Sequence, residues 1–71
     1  MKRFGEKLRA LREEYGFSYR KLGAEIGIAH NHILNIEAGH RKPSLDLVIK
    51  IAEYFEVSFD ELLDDSVDLK L

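Results

Sequence analysis

His30, His32 and His40 are the only histidines of the 71-residue chain. They fall within the stretch GAEIGIAHNHILNIEAGHRKP, together with Asn31, Asn35, the cations Arg41 and Lys42, and the only proline. Three chemistries could use such a cluster: metal coordination, nucleophilic catalysis, or the reading of another molecule. On a helix the i, i+2 spacing of His30 and His32 sets them about 200° apart, whereas two helical histidines sharing a metal want i, i+4. The chain has no cysteine, and the next carboxylate after His30 is Glu37, seven residues on. No metal site is read from this pattern.

Catalysis fares no better. His40, Ser44 and Asp46 lie close in sequence, but a triad needs side chains converging in a cleft, and a small helical domain has little room for one. His40 fits a basic turn, Ser44 a helix cap, and Asp46 the first helical turn, where negative charge suits the helix dipole. No catalytic residue is assigned, and neither enzyme activity nor a cofactor is expected. For nucleic acid the same residues make chemical sense. With Ile28, Ile33 and Ile36 facing inward, His30, Asn31 and Asn35 turn outward together. Asn can bond two adjacent edge atoms of adenine in the major groove, and His can donate to guanine N7 or to phosphate. His40, Arg41 and Lys42 then follow in a loop suited to backbone contact.

The surrounding apolar pattern supplies helices to position these groups. Phe4, Leu8, Leu11 and Tyr15 make one helical face, which Gly16 ends. Ser18 is an N-cap candidate for a second helix, with Phe17 and Leu22 spaced as a hydrophobic staple. Gly27 closes that helix, and Ile28, Ile33 and Ile36 mark a third that Gly39 closes. Two helices of about eight residues around a glycine-containing turn form a helix-turn-helix pattern. Ser44 caps a fourth helix with the stripe Leu45, Val48, Ile51, Ala52 and Phe55. Ser58-Phe59-Asp60-Glu61 reads as a capping box for a short fifth helix carrying Leu62 and Leu63. The expected fold is all-α, a single domain over residues 1–65. In the tail, residues 66–71, Val67, Leu69 and Leu71 alternate with polar residues; it is expected either to contact a dimer partner or to be disordered.

Charge is distributed unevenly. Residues 1–42 hold nine Lys/Arg against five Glu, a surplus of +4, and residues 43–71 hold two Lys against eight Asp/Glu, a balance of −6. The net charge of −2 therefore hides a basic half able to attract phosphate. The basic Met1-Lys2-Arg3 start leads into charged residues, so no signal peptide is read, and no apolar run is long enough to span a bilayer. A peripheral membrane role for the first helix is disfavoured by Glu6, Glu13 and Glu14. A cytoplasmic protein is expected.

The segments FGEKLRALREEYGFS, KLGAEIGIAHNHILNIEAG and RKPSLDLVIKIAEYFEVSFDELL together resemble the Xre family of helix-turn-helix DNA-binding proteins, whose compact five-helix fold is shared with lambda repressor and Cro. The likeness covers residues 3–63. The joint spacing of Leu22, Ile26-Gly27-Ile28, Ile33, Ile36-Glu37, Gly39 and Pro43-Ser44 makes it specific. The resemblance implies a stand-alone homodimeric transcriptional regulator, most often a repressor, on a pseudo-palindromic double-stranded operator. It places one recognition helix per half-site, in major-groove turns roughly 34 Å apart. It implies base reading by His30, Asn31 and Asn35, and phosphate contact by Tyr19, Arg20, His32, His40, Arg41 and Lys42.

Four positions depart from the family pattern. Tyr19 replaces a frequent Gln, and a phenol cannot act as both donor and acceptor amide. Ala29 replaces a capping residue, at a cost of about 1 kcal/mol. Leu34 replaces a polar residue and is read as half-buried in preference to touching a thymine methyl group. Glu56 stands where Gly often ends the fourth helix. Apolar side chains beyond the core stripes, Leu47, Tyr54, Phe59 and Leu63, are expected at the dimer interface. The alternative reading is a protein-interaction module, such as an antitoxin or anti-repressor, with Leu34 and Tyr54 as anchors for a partner protein.

Overall fold

A computed structural model describes residues 1–71. Five helices follow in order: α1 (Phe4–Glu14), α2 (Tyr19–Ile26), α3 (His30–Glu37), α4 (Leu45–Phe55) and α5 (Phe59–Leu63), with no strand. Local chemistry sets most of the boundaries. The Ser18 hydroxyl accepts from the Lys21 amide at 3.0 Å, and Ser44 from the Leu47 amide at 3.2 Å. Ser58 and Glu61 form a reciprocal capping box. α3 begins without side-chain help, since Ala29 holds an extended N-cap backbone but has no acceptor to offer.

The helices surround one core of thirteen buried apolar residues drawn from all five. Phe4, Leu8 and Leu11 of α1 meet Leu22 and Ile26 of α2, Ile33 and Ile36 of α3, Val48, Ile51 and Phe55 of α4, and Leu62 of α5. Ile28 is only half-buried against this cluster. Tyr15 lies just past the end of α1, 48% exposed, with its ring edge-on to Phe55 at 4.8 Å.

Gly23 is needed where α2 packs against the turn that follows it. It sits inside α2 and is buried, and a Cβ there would collide with the Ile28 carbonyl of the turn. That contact lets the turn fold tightly back on α2. Gly27 takes the left-handed conformation at φ 73° and swings the chain from α2 into α3. Glu56 performs the same task after α4 at φ 54°, without glycine's freedom.

Three findings correct the sequence reading, the first being that Leu45, placed on the apolar stripe of α4, is 72% exposed. Leu47 is 2% exposed and belongs to the core, so it has no surface to offer a second copy. The nine cations of the basic half are not all at the surface either, because Lys7 is 1% exposed. Its Nζ donates to three backbone carbonyls, Glu61 at 2.6 Å, Asp64 at 2.8 Å and Val67 at 2.6 Å. These close the end of α5 and the start of the tail, where helical carbonyls have no intrahelical partner.

The tail folds back along the domain and packs Leu69 against the core. Asp65 collects the N-terminus: its carboxylate accepts from the backbone amides of Lys2 and Arg3, each at 2.9 Å, and from the Met1 ammonium at 3.4 Å. These donors hold the Asp65 carboxyl well below the usual range, at about 2. Arg3 Nη1 adds bonds to the Asp65 carbonyl and to Asp68 Oδ1, both at 2.9 Å.

Candidate nucleic-acid interface

α3 is held against α1 by one buried ion pair. Arg12 donates through Nε to Glu37 Oε2 at 2.8 Å and through Nη2 to Glu37 Oε1 at 3.1 Å, a two-pronged contact that fixes orientation as well as distance. Both side chains are largely buried, 10% and 3% exposed. Hydrogen bonding to Glu37 raises the Arg12 guanidinium further above its ordinary value, against the opposing effect of burial. A third bond, Nη1 to the Phe17 carbonyl at 2.8 Å, ties in the segment leading to α2. The Tyr19 ring lies 4.1 Å from the guanidinium carbon, a cation–π stack. α1, the start of α2 and the end of α3 therefore meet at one guanidinium, and the exposed face of α3 has little freedom to tilt.

That face carries the predicted readers. At 100° per residue from His30, Leu34 lies at about 40°, Asn31 at about 100° and Asn35 at about 140°. Ile33 and Ile36 point the other way, into the core. Asn31 is exposed, and His30 and Asn35 are half-buried. His32 is half-buried at about 200°, at the edge of this face. None of these polar side chains forms an ion pair or a hydrogen bond within the molecule; the side-chain contacts nearby are those of Arg12, Ser18 and Lys21. Their donors and acceptors are free to bond elsewhere.

Leu34 stands in the middle of the set. It is 42% exposed, beside a shallow cleft shared with Arg9, Tyr19 and Glu37, and so is less covered than the sequence reading favoured. Arg20, His40, Arg41 and Lys42 are exposed. Tyr19 is half-buried in its stack on Arg12. Of the remaining expected dimer residues, Phe59 is 51% exposed, while Tyr54 and Leu63 are half-buried against the core. The Arg12–Glu37 pair escaped the sequence reading, although a signal was present: Arg12 falls four residues after Leu8, on the apolar stripe of α1.

A family model described as helix-turn-helix matches residues 8–62. The chain belongs to the helix-turn-helix family. Its relatives are named as transcriptional regulators. The HTH-type regulatory protein TK0539 of Thermococcus kodakarensis is 38% identical over 84% of this chain. The cryptic phage CTXphi transcriptional repressor RstR of Vibrio cholerae is 35% identical over 96% of this chain and 64% of its own length. The chain spans 19% of the length of TK0539 and of a Pyrococcus furiosus relative. Among solved structures, the restriction-modification controller protein C.AhdI from Aeromonas hydrophila superposes with a TM-score of 0.77 at 31% identity, covering 87% of this chain and 94% of that one. The five-helix helix-turn-helix fold is thus shared along nearly the whole molecule. No helix is long and apolar enough to cross a membrane.

Proposed function

We propose that this helix-turn-helix protein binds double-stranded DNA sequence-specifically as a homodimer in the cytoplasm and represses transcription by occupying promoter DNA. The observation that carries the reading is the exposed face of α3. His30, Asn31 and Asn35 are unbonded there, on a helix locked by a buried ion pair and followed by the exposed cations Arg41 and Lys42. Asn31 and Asn35 read base edges, and His30 reads a base or a phosphate. Leu34, between them, contacts a thymine methyl group. Tyr19, Arg20, His32, His40, Arg41 and Lys42 hold the backbone, which positions the readers without specifying sequence. Phe59, Leu63 and Tyr54 form the surface that meets a second copy. With two copies bound, half-sites lie about one helical turn apart.

Selection of bound sequences from a random duplex pool, followed by anisotropy titrations, tests this. Asn31→Ala and Asn35→Ala should each cost about 1–3 kcal/mol of discrimination at one position of each half-site. Arg41→Ala and Lys42→Ala should weaken all sequences alike. Binding that ignores salt, or that both Asn substitutions leave unchanged, refutes the proposal.

A further inference from the structure

The N-terminus and the α3–α4 connection enclose a cleft of about 350 Å³. Phe4, Ile36 and Pro43 make its apolar lining, Lys2, Arg41 and Lys42 its cationic one, and no carboxylate reaches it. None of these three cations forms an ion pair in the molecule; the acidic residues nearest the N-terminus are engaged by Met1 and Arg3 instead. Three exposed residues of like charge thus line one partly apolar hollow, a setting that favours an anion. Two of the three belong to the loop already read as a phosphate grip. The third, Lys2, comes from the opposite end of the fold and is not part of that reading.

The backbone of Lys2 is fixed while its side chain stays exposed, because the Lys2 amide donates to Asp65 at 2.9 Å, flanked by the Met1 and Arg3 donors to the same carboxylate. Asp65 is itself held, since Lys7 grips the carbonyls of Asp64 and Val67 on either side of it. Lys2 therefore reaches the cleft through a carboxylate 63 residues away.

Resting on the DNA-binding reading above, we propose that Lys2 is a phosphate ligand, completing with Arg41 and Lys42 a seat for one backbone phosphate of the operator, and that Asp65 is the positioning residue that holds it there. The effect of Asp65 is opposite in sign to simple electrostatics. Removing a negative charge from a DNA-binding protein ordinarily tightens binding to the polyanion. If Asp65 holds Lys2 on the phosphate, removing it weakens binding.

The test is a salt titration of the full chain on its selected duplex, with melting curves confirming that each variant is folded at the assay temperature. Lys2→Ala should lower the slope of log K against log salt by about 0.9 per protomer. That corresponds to about eightfold weaker binding per protomer at 0.1 M salt, with no difference near 1 M and no change in sequence preference. Asp65→Ala should reproduce this change, and the double variant should be no weaker than either single one. Asp65→Asn, which leaves one acceptor oxygen where the carboxylate uses two and turns an NH2 toward the other donors, carries the same test if the alanine variant is unfolded; it should weaken binding, where charge removal alone would tighten it. An unchanged slope for Lys2→Ala, tighter binding on removing the Asp65 charge, or losses that add in the double variant each overturn the proposal. If wild-type binding depends on Asn31 and Asn35 while the Lys2 slope is unchanged, this inference alone falls. If wild type binds no selected duplex, the DNA-binding reading falls and takes this one with it.

Discussion

Replacing Lys7 by Met keeps the length and aliphatic stem of the side chain and deletes only its ammonium. Three carbonyls then lose a charged donor at 2.6–2.8 Å in a place solvent does not reach. Hydrogen bonds to charged groups are worth about 1.5–3 kcal/mol each net of water. The gross loss is offset because the wild type bears several kcal/mol for keeping an ammonium out of water, which the variant avoids. The cost is bounded further because the tail can lift off α1 and let water reach the carbonyls. A net destabilisation of about 2–4 kcal/mol remains, lowering the melting temperature by roughly 10–25 °C for a domain this small. Thermal and urea unfolding followed by circular dichroism measure it. Amide exchange should show Lys2 and Arg3 losing protection before the α1–α3 core does. A variant within about 0.5 kcal/mol of wild type, or one whose N-terminal amides stay protected, refutes the idea that this ammonium clasps the tail.

Three further outcomes follow from local geometry. Glu56→Gly should raise stability by about 1 kcal/mol in urea unfolding, because the left-handed backbone at φ 54° costs a side chain roughly that much. Ala29→Ser should add about 1 kcal/mol in the same assay by giving α3 the cap acceptor it lacks, on a backbone already extended at ψ 134°. Asp65 contributes stability that is complete above its unfolded value of 3.8 and is lost as pH falls toward about 2. Unfolding measured from pH 5 to pH 2 should therefore steepen near the acid end for wild type and flatten for Asp65→Asn.

The boundaries of α2, α4 and α5 were legible in the sequence because Ser18, Ser44 and Ser58 act on amides three residues away. Such information is local and survives without coordinates. The outward face of α3 was legible for a similar reason: Ile33 and Ile36 set the helical phase, and His30, Asn31 and Asn35 fall on the side away from the core, whereas Ile28 lies in the turn before the helix. The fate of charges was not. Lys7 and Arg12 were counted in the basic surplus, yet one serves carbonyls at the far end of the chain and the other a carboxylate 25 residues on. Both occupy stripe positions of α1, but only the fold supplies partners that make burial tolerable there. Leu47 was assigned outward because α4 has more apolar residues than one stripe needs, and how α5 packs beside α4 lies beyond helical periodicity. The tail's alternation left a dimer contact and disorder both open, and the structure uses Leu69 to cover the domain's own core.

The clasp between Met1–Arg3 and Asp65 joins residues 62 to 64 positions apart. The helix-turn-helix packing, by contrast, pairs neighbours such as α2 and α3. The bundle, including the grip of Lys7 on carbonyls 54 to 60 residues away, brings the two ends near each other first, so the clasp adds a short closure and gains three bonds, two of them exposed. The Met1–Arg3 segment should therefore dock last in folding and part first under native conditions, in an opening that leaves the Lys7 grip on Asp64 and Val67 intact. The bundle thus carries a weak seam where its first residues meet Asp65, and the seam runs beside the basic cleft.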